Sequence, residues 1–152
     1  MYRKEIEEYI DSHKDQMIED ICTLCRINSE KMPYTEGKPF GEGPFEALQA
    51  ALTMMENYGF SVRNYDNYVG TADLNDKEAQ LDILAHLDVV PAGEGWTVTE
   101  PFNPVIKDGK LYGRGTADDK GPAVAALYAM RAVKELGLPV KKNVRLIQQN
   151  VV

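Results

Sequence analysis

The stretch GTADDKGPAVAALYAMRAVKELGLPVKKNVRLI (115–147) decides the fold, because it strings together a glycine-bearing turn, an acidic pair, an amphipathic helix and a strand. Val124, Leu127, Tyr128, Val133 and Leu136 recur at helical spacing until Gly137 and Pro139 end the helix. VRLI (144–147) then predicts a strand. Upstream, segments 60–65, 67–74 and 81–87 are short, rich in β-branched or aromatic residues and separated by Asn, Asp, Gly and Lys, so each predicts a strand. LDILAH (81–86) is apolar at four of six positions, the pattern of a strand covered on both faces. Asp108-Gly109 predicts a hairpin turn within PVIKDGKLYGRG (104–115). Strand, helix and strand in this order predict an α/β domain whose helices flank a mixed β-sheet.

The first 60 residues read as helical with one interruption. Tyr2, Ile6, Tyr9 and Ile10 form one apolar stripe, Asp15 is placed to cap a second helix ending near Ile27, and Phe45, Leu48, Leu52 and Met55 mark a third. Gly59 stands where a helix end favours a left-handed residue. Between the second and third helices, SEKMPYTEGKPFGEGP (29–44) predicts a loop, long enough to be functional.

Seventeen basic residues against twenty-four acidic ones leave a formal charge of −7, which excludes a broad electrostatic footprint on nucleic acid or on an anionic membrane. No apolar run suits a membrane span, and MYRKEIEEYIDSHKD lacks the apolar core of a signal peptide, so a cytoplasmic location is expected. Cys22 and Cys25 form a C-x-x-C without a nearby partner for a structural zinc site. They share the helical spacing of Met17, Ile18, Ile21 and Leu24, so both read as small apolar residues of one helix.

Two constellations could carry chemistry. His86 and Asp88 end the apolar strand, and in an extended backbone residues i and i+2 share one face. Ligands of open α/β sheets bind beyond the carboxyl ends of strands, where this pair falls. Asp118 and Asp119 begin the predicted helix, where an N-cap followed by an acidic first-turn residue is the plain account. Two charges about 6 Å apart repel by roughly 3 kcal/mol at an effective dielectric of 20, so a half-buried pair calls for a cation. Joined, the imidazole and the hard oxygen donors suit a divalent ion.

HLDVVPAGEGW (86–96) and LYGRGTADDKGP (111–122) resemble the two signature segments of the zinc-dependent aminoacylase, desuccinylase and carboxypeptidase superfamily. The resemblance is to its bacterial dipeptidase branch above all, typified by peptidase V, and GKPFGEGP (37–44), NYDNYVG (64–70) and the N-terminal helices share it. It implies a two-zinc peptidase of small peptides, in which the metals polarise the scissile carbonyl. His86 would bind one zinc, Asp118 would bridge both, and Asp88 would be the catalytic-site carboxylate that orients His86. Asp119 would join Asp118 through a cis peptide bond, and Trp96 with Pro91, Gly93 and Gly95 would shape the loop after the first ligand. Amidohydrolases of N-acyl amino acids are the alternative within the family.

The resemblance stops where the family strand runs into a glutamate pair that supplies the general base and a further ligand; here it continues QQNVV (148–152). Residues 1–152 are therefore expected to be the N-terminal portion of a catalytic domain, incomplete at the C-terminus and without the lid domain. His13, the other histidine, reads as a surface residue of a helical segment. The expectations are weak or partial zinc binding, little or no activity, and self-association or poor solubility through a strand edge or an apolar surface exposed where the sheet is cut after RLIQQNVV. A non-catalytic remnant that binds a partner or its own copy is the competing reading, and a separate chain that supplies the missing ligands is a third.

Overall fold

Apolar positions of helical period and of strand period meet in one core in the computed structural model, which describes residues 2–150. Helix α1 (Arg3–Ser12) is divided from α2 (Lys14–Cys25) at His13, whose φ of −107° and ψ of 8° break the helical path. His13, rather than Asp15, occupies the N-cap of α2, and Asp15 lies in the first turn, where its charge suits the helix dipole. Nor is His13 a free surface residue. It is half-buried, its ring stacks on Tyr9 with centroids 4.0 Å apart, and its Nδ1 lies 2.8 Å from the Tyr9 carbonyl oxygen.

Helix α3 (Glu42–Asn57) begins inside the segment expected to be loop. Pro44 sits in its first turn, where a missing N–H forfeits no helical hydrogen bond. Gly43 is required by contact: a Cβ there would lie 1.8 Å from the Asn28 carbonyl oxygen. The segment after α2 is thus pressed against the start of α3. Gly59 follows α3 at φ 77°, as its position predicts.

Strands β1 (Ser61–Tyr65), β2 (Val69–Asp73), β3 (Ala79–His86) and the last strand, β6 (Asn143–Gln149), form one sheet in the order β1-β2-β6-β3. The first two pairings are antiparallel and β6 with β3 is parallel, so the sheet is mixed. Between β3 and α4 (Lys120–Glu135), strands β4 (Val105–Lys107) and β5 (Lys110–Tyr112) form a separate hairpin around Asp108-Gly109. Helices α3 and α4 cover one face of the larger sheet, burying Leu48, Leu52 and Leu127 against Ala72, Ala85 and Leu146. Each fully buried leucine contributes about 1.5 to 3 kcal/mol. Helices α1 and α2 pack onto α4.

One expectation about the strands is corrected. β3 is not covered on both faces: Leu81 and Leu84 are 51% and 65% exposed, since α3 and α4 cover one face of the sheet, and β3 also lies at its edge with β6 as its one neighbour. Conversely, β6 is no edge. It is hydrogen-bonded on both sides, and among the described residues the free edges of the sheet belong to β1 and β3.

Candidate metal centre

The last residue of β3 is His86, and the helix α4 begins at Lys120 immediately after the acidic pair. Asp119 occupies the N-cap of α4 but makes no side-chain capping bond. Its carboxylate instead accepts the His86 backbone N–H at 3.1 Å, tying the turn to the strand end. The peptide bond between Asp118 and Asp119 is cis. A Cβ on Gly121 would lie 2.0 Å from the Thr116 carbonyl oxygen, so glycine lets the turn fold this closely over the first turn of α4.

These connections bring together the three sequence-predicted site residues. His86 Nδ1 lies 3.2 Å from both Asp88 Oδ1 and the Asp88 carbonyl oxygen, and His86 Nε2 lies 3.1 Å from Asp118 Oδ1. Two acceptors on the Nδ1 side assign a proton there. In the neutral ring the Nε2 lone pair then faces the Asp118 carboxylate, and two acceptors at that distance need a proton or a metal ion between them. Burial alone would lower the His86 pKa; the charge and carbonyl of Asp88, followed by Asp119 and Asp118, outweigh it and raise the value. The Asp88 side chain is 15% exposed, whereas that of Asp118 is 82% exposed.

His86, Asp88 and Asp118 line a cleft of about 290 Å³ with Val89, Val90 and Arg114. Arg114 also lines a neighbouring cleft of about 430 Å³ with Trp96 and Tyr112. Its guanidinium stands 5.5 Å from the Trp96 ring centre, and both Arg114 Nη2 and Trp96 Nε1 donate to the Ala92 carbonyl oxygen. An imidazole nitrogen and carboxylate oxygens are donor types that zinc accepts. The set fits in kind but is small: among the described residues, no group of three or more His, Cys, Asp or Glu side chains is placed to hold one metal ion.

The cysteines stay outside this chemistry. Both are free and buried, and burial pushes the Cys25 thiol up to about 11. The residues that support the site were not legible in sequence. Lys120 is fully buried and its Nζ donates to the carbonyls of Leu24 and Ile27 at 2.9 Å each. Burial pushes its ammonium down to about 8, against the opposing pull of Cys25 and Asp88. Ser29, also fully buried, donates from Oγ to the Leu87 carbonyl at 2.6 Å, and its own carbonyl accepts the Val89 N–H. A lysine beside two aspartates reads as surface charge, and nothing in its neighbours along the chain marks it as interior.

The chain is 41% identical over 136 residues to the putative dipeptidase YtjP of Bacillus subtilis (strain 168), covering 88% of this chain and 29% of that protein. It is 39% identical over 144 residues to the Beta-Ala-Xaa dipeptidase of Lactobacillus delbrueckii subsp. lactis, covering 93% of this chain and 30% of that protein. The crystal structure of human carnosine dipeptidase 1 superimposes with a TM-score of 0.82 at 28% identity, over 97% of this chain and 34% of that one. The chain thus spans about 30% of the length of the curated relatives it matches. Residues 83–150, which contain the H-x-D strand end and the acidic turn, match the model of peptidase family M20/M25/M40, and the chain as a whole is similar to the N-terminal part of these dipeptidases.

Proposed function

We propose that this chain contributes part of a zinc site to the hydrolysis of dipeptides, with His86 and Asp118 as metal ligands and Asp88 as the catalytic-site carboxylate. The observation that carries the reading is the convergence of His86 Nε2 and Asp118 Oδ1 at 3.1 Å with Asp88 on the opposite ring nitrogen. Zinc, when bound, supplies Lewis-acid polarisation of the substrate carbonyl. Asp88 fixes the tautomer and orientation of His86 and raises its basicity as a ligand. Asp119 holds the His86 backbone in register with the turn that presents Asp118. The names of the dipeptidase relatives support small peptides as the substrate class. In the family pattern Asp118 would bridge a second zinc.

Two candidate ligands fall short of the three protein ligands of an ordinary catalytic zinc. The 152-residue chain by itself is therefore expected to bind zinc weakly and to turn over dipeptides slowly or not at all. Two free, buried cysteines suit a reducing compartment such as the cytoplasm. The exposed outer edge of β3, with Leu81 and Leu84, favours self-association at high concentration.

Calorimetric titration with zinc tests the assignment. Saturable binding that disappears in His86→Ala and weakens in Asp118→Asn is expected; binding indifferent to both substitutions would remove the site. A dipeptide assay on the same zinc-loaded sample tests the second statement, which rapid turnover by the isolated chain would overturn.

A further inference from the structure

The most exposed member of the candidate site is the one with the least to hold it. Asp118 is 82% exposed, and among the described residues its hydrogen-bonding partner is His86. Its position is inherited from the backbone of the 115–121 turn. That turn is fastened at one end to β3 through Asp119 and, next to Asp119, by the buried ammonium of Lys120 to the end of α2. An ammonium in the interior is costly, and an apolar residue of similar size commonly gives equal or greater stability. Lys120 Nζ nonetheless donates to two backbone carbonyls, at a place where a cation complements the dipole at the end of α2. The stem of Lys120 lies under Gly115, where a Cβ would approach Lys120 Cδ to 3.0 Å.

The segment that receives Lys120 also governs the other half of the site. Within a few residues of Leu24 and Ile27, the Ser29 hydroxyl and carbonyl bind Leu87 and Val89, the two neighbours of Asp88. Glu30 Oε1 accepts the Ala92 N–H at 2.9 Å. Residues 24–30 are in turn pressed on α3 at Gly43. One short stretch of chain, remote in sequence, therefore grips both the strand-end loop and the acidic turn.

We propose that Lys120 is a positioning residue: by joining the 115–121 turn to the end of α2, it sets Asp118 and Asp119 against His86. The inference rests on the metal-site reading for its consequence, but the juxtaposition it explains is present in the metal-free chain. Its role is mechanical as well as electrostatic, because the ammonium reaches across to a carbonyl pair that Ser29 has already registered with the other loop.

Lys120→Met keeps the apolar stem and removes the donors. Amide hydrogen exchange by NMR on the metal-free chain is expected to show the His86 amide losing about tenfold or more of its protection, while Leu146 in the central strand keeps its own. Zinc affinity, measured by chelator competition on the same folded sample, is expected to fall about 10- to 100-fold, the scale of lost support around a metal ligand. Unchanged protection at His86 overturns the positioning role. Lost protection in a chain that never bound zinc leaves the positioning role standing and removes the metal reading instead. Lost protection with unchanged affinity in a zinc-binding chain overturns the link to the metal. If Lys120→Met does not fold, the same readings on Lys120→Leu, which is apolar and likewise lacks the donors, decide in the same way.

Discussion

Two aspartates of the same sheet system stand in opposite electrostatic situations. Asp73, at the end of β2, receives Arg145 Nε at 2.9 Å and Arg145 Nη2 at 3.2 Å, and its Oδ1 also accepts from the Asn143 amide. Burial would raise its pKa, but Arg145 and Asn143 overcome that and hold the carboxyl below its usual range. Asp118 instead meets the His86 imidazole, with most of its surface in solvent. A carboxylate saturated with donors serves the fold, whereas an exposed one that meets a single imidazole has oxygen lone pairs left for the proposed cation. Asp119 occupies the N-cap of α4, but its side chain bonds the strand rather than the helix.

The sharpest way to break the contrast is to truncate each carboxylate in turn. Asp73→Ala is expected to lower the unfolding free energy by about 1.5 to 3 kcal/mol, the worth of hydrogen bonds to a charged group, and to leave zinc titration unchanged. Asp118→Ala is expected to shift stability by less than about 0.5 kcal/mol and to abolish zinc binding. Urea melts and calorimetry measure both, and the reverse pattern would dissolve the distinction.

Gln148 adds a third case, a polar group answered by neither donor nor cation. It is 3% exposed, its Oε1 has no hydrogen-bond partner among the described residues, and it faces a small void lined by Leu24, Ala51, Met55 and Leu127. Gln148→Leu is expected to raise the urea midpoint by an amount worth about 1 kcal/mol, since an unmade buried hydrogen bond costs at least that.

The smallest effect is a dependence on acid. Because the folded-state pKa of Asp73 lies below its unfolded value, its contribution is complete above the ordinary aspartate value of about 3.9 and is lost as the pH falls through the depressed one. Melts between pH 5 and pH 2 are expected to lose stability more steeply in the wild type than in Asp73→Asn. Parallel slopes would show that the Arg145 pair contributes nothing in this window.

Much of the fold is local and was legible for that reason. The helix period of α4, its ending near Gly137, the Asp108-Gly109 hairpin and the left-handed Gly59 all depend on neighbours along the chain. His86 and Asp88 were legible as a pair because strand geometry alone puts them on one side. What escaped depends on distant neighbours. LDILAH reads as doubly covered, yet its exposure is set by which face the helices cover and by where β3 falls in the sheet order. The start of α3 was hidden because glycine and proline punctuate loops far more often than first turns, and here Gly43 answers to Asn28. Lys120, Ser29 and Asp20, whose carboxylate accepts the hydroxyls of Tyr58 and Tyr128, take their roles from partners dozens of positions away.

The placement of β6 has a bearing on how the chain acquires its shape. It comes last among the described strands yet inserts between β2 and β3, which have no ladder with each other until it arrives. The two halves of the sheet must therefore wait for one late segment to zip both seams at once, so productive folding is expected as a single slow, concerted event rather than as stepwise growth from the N-terminus.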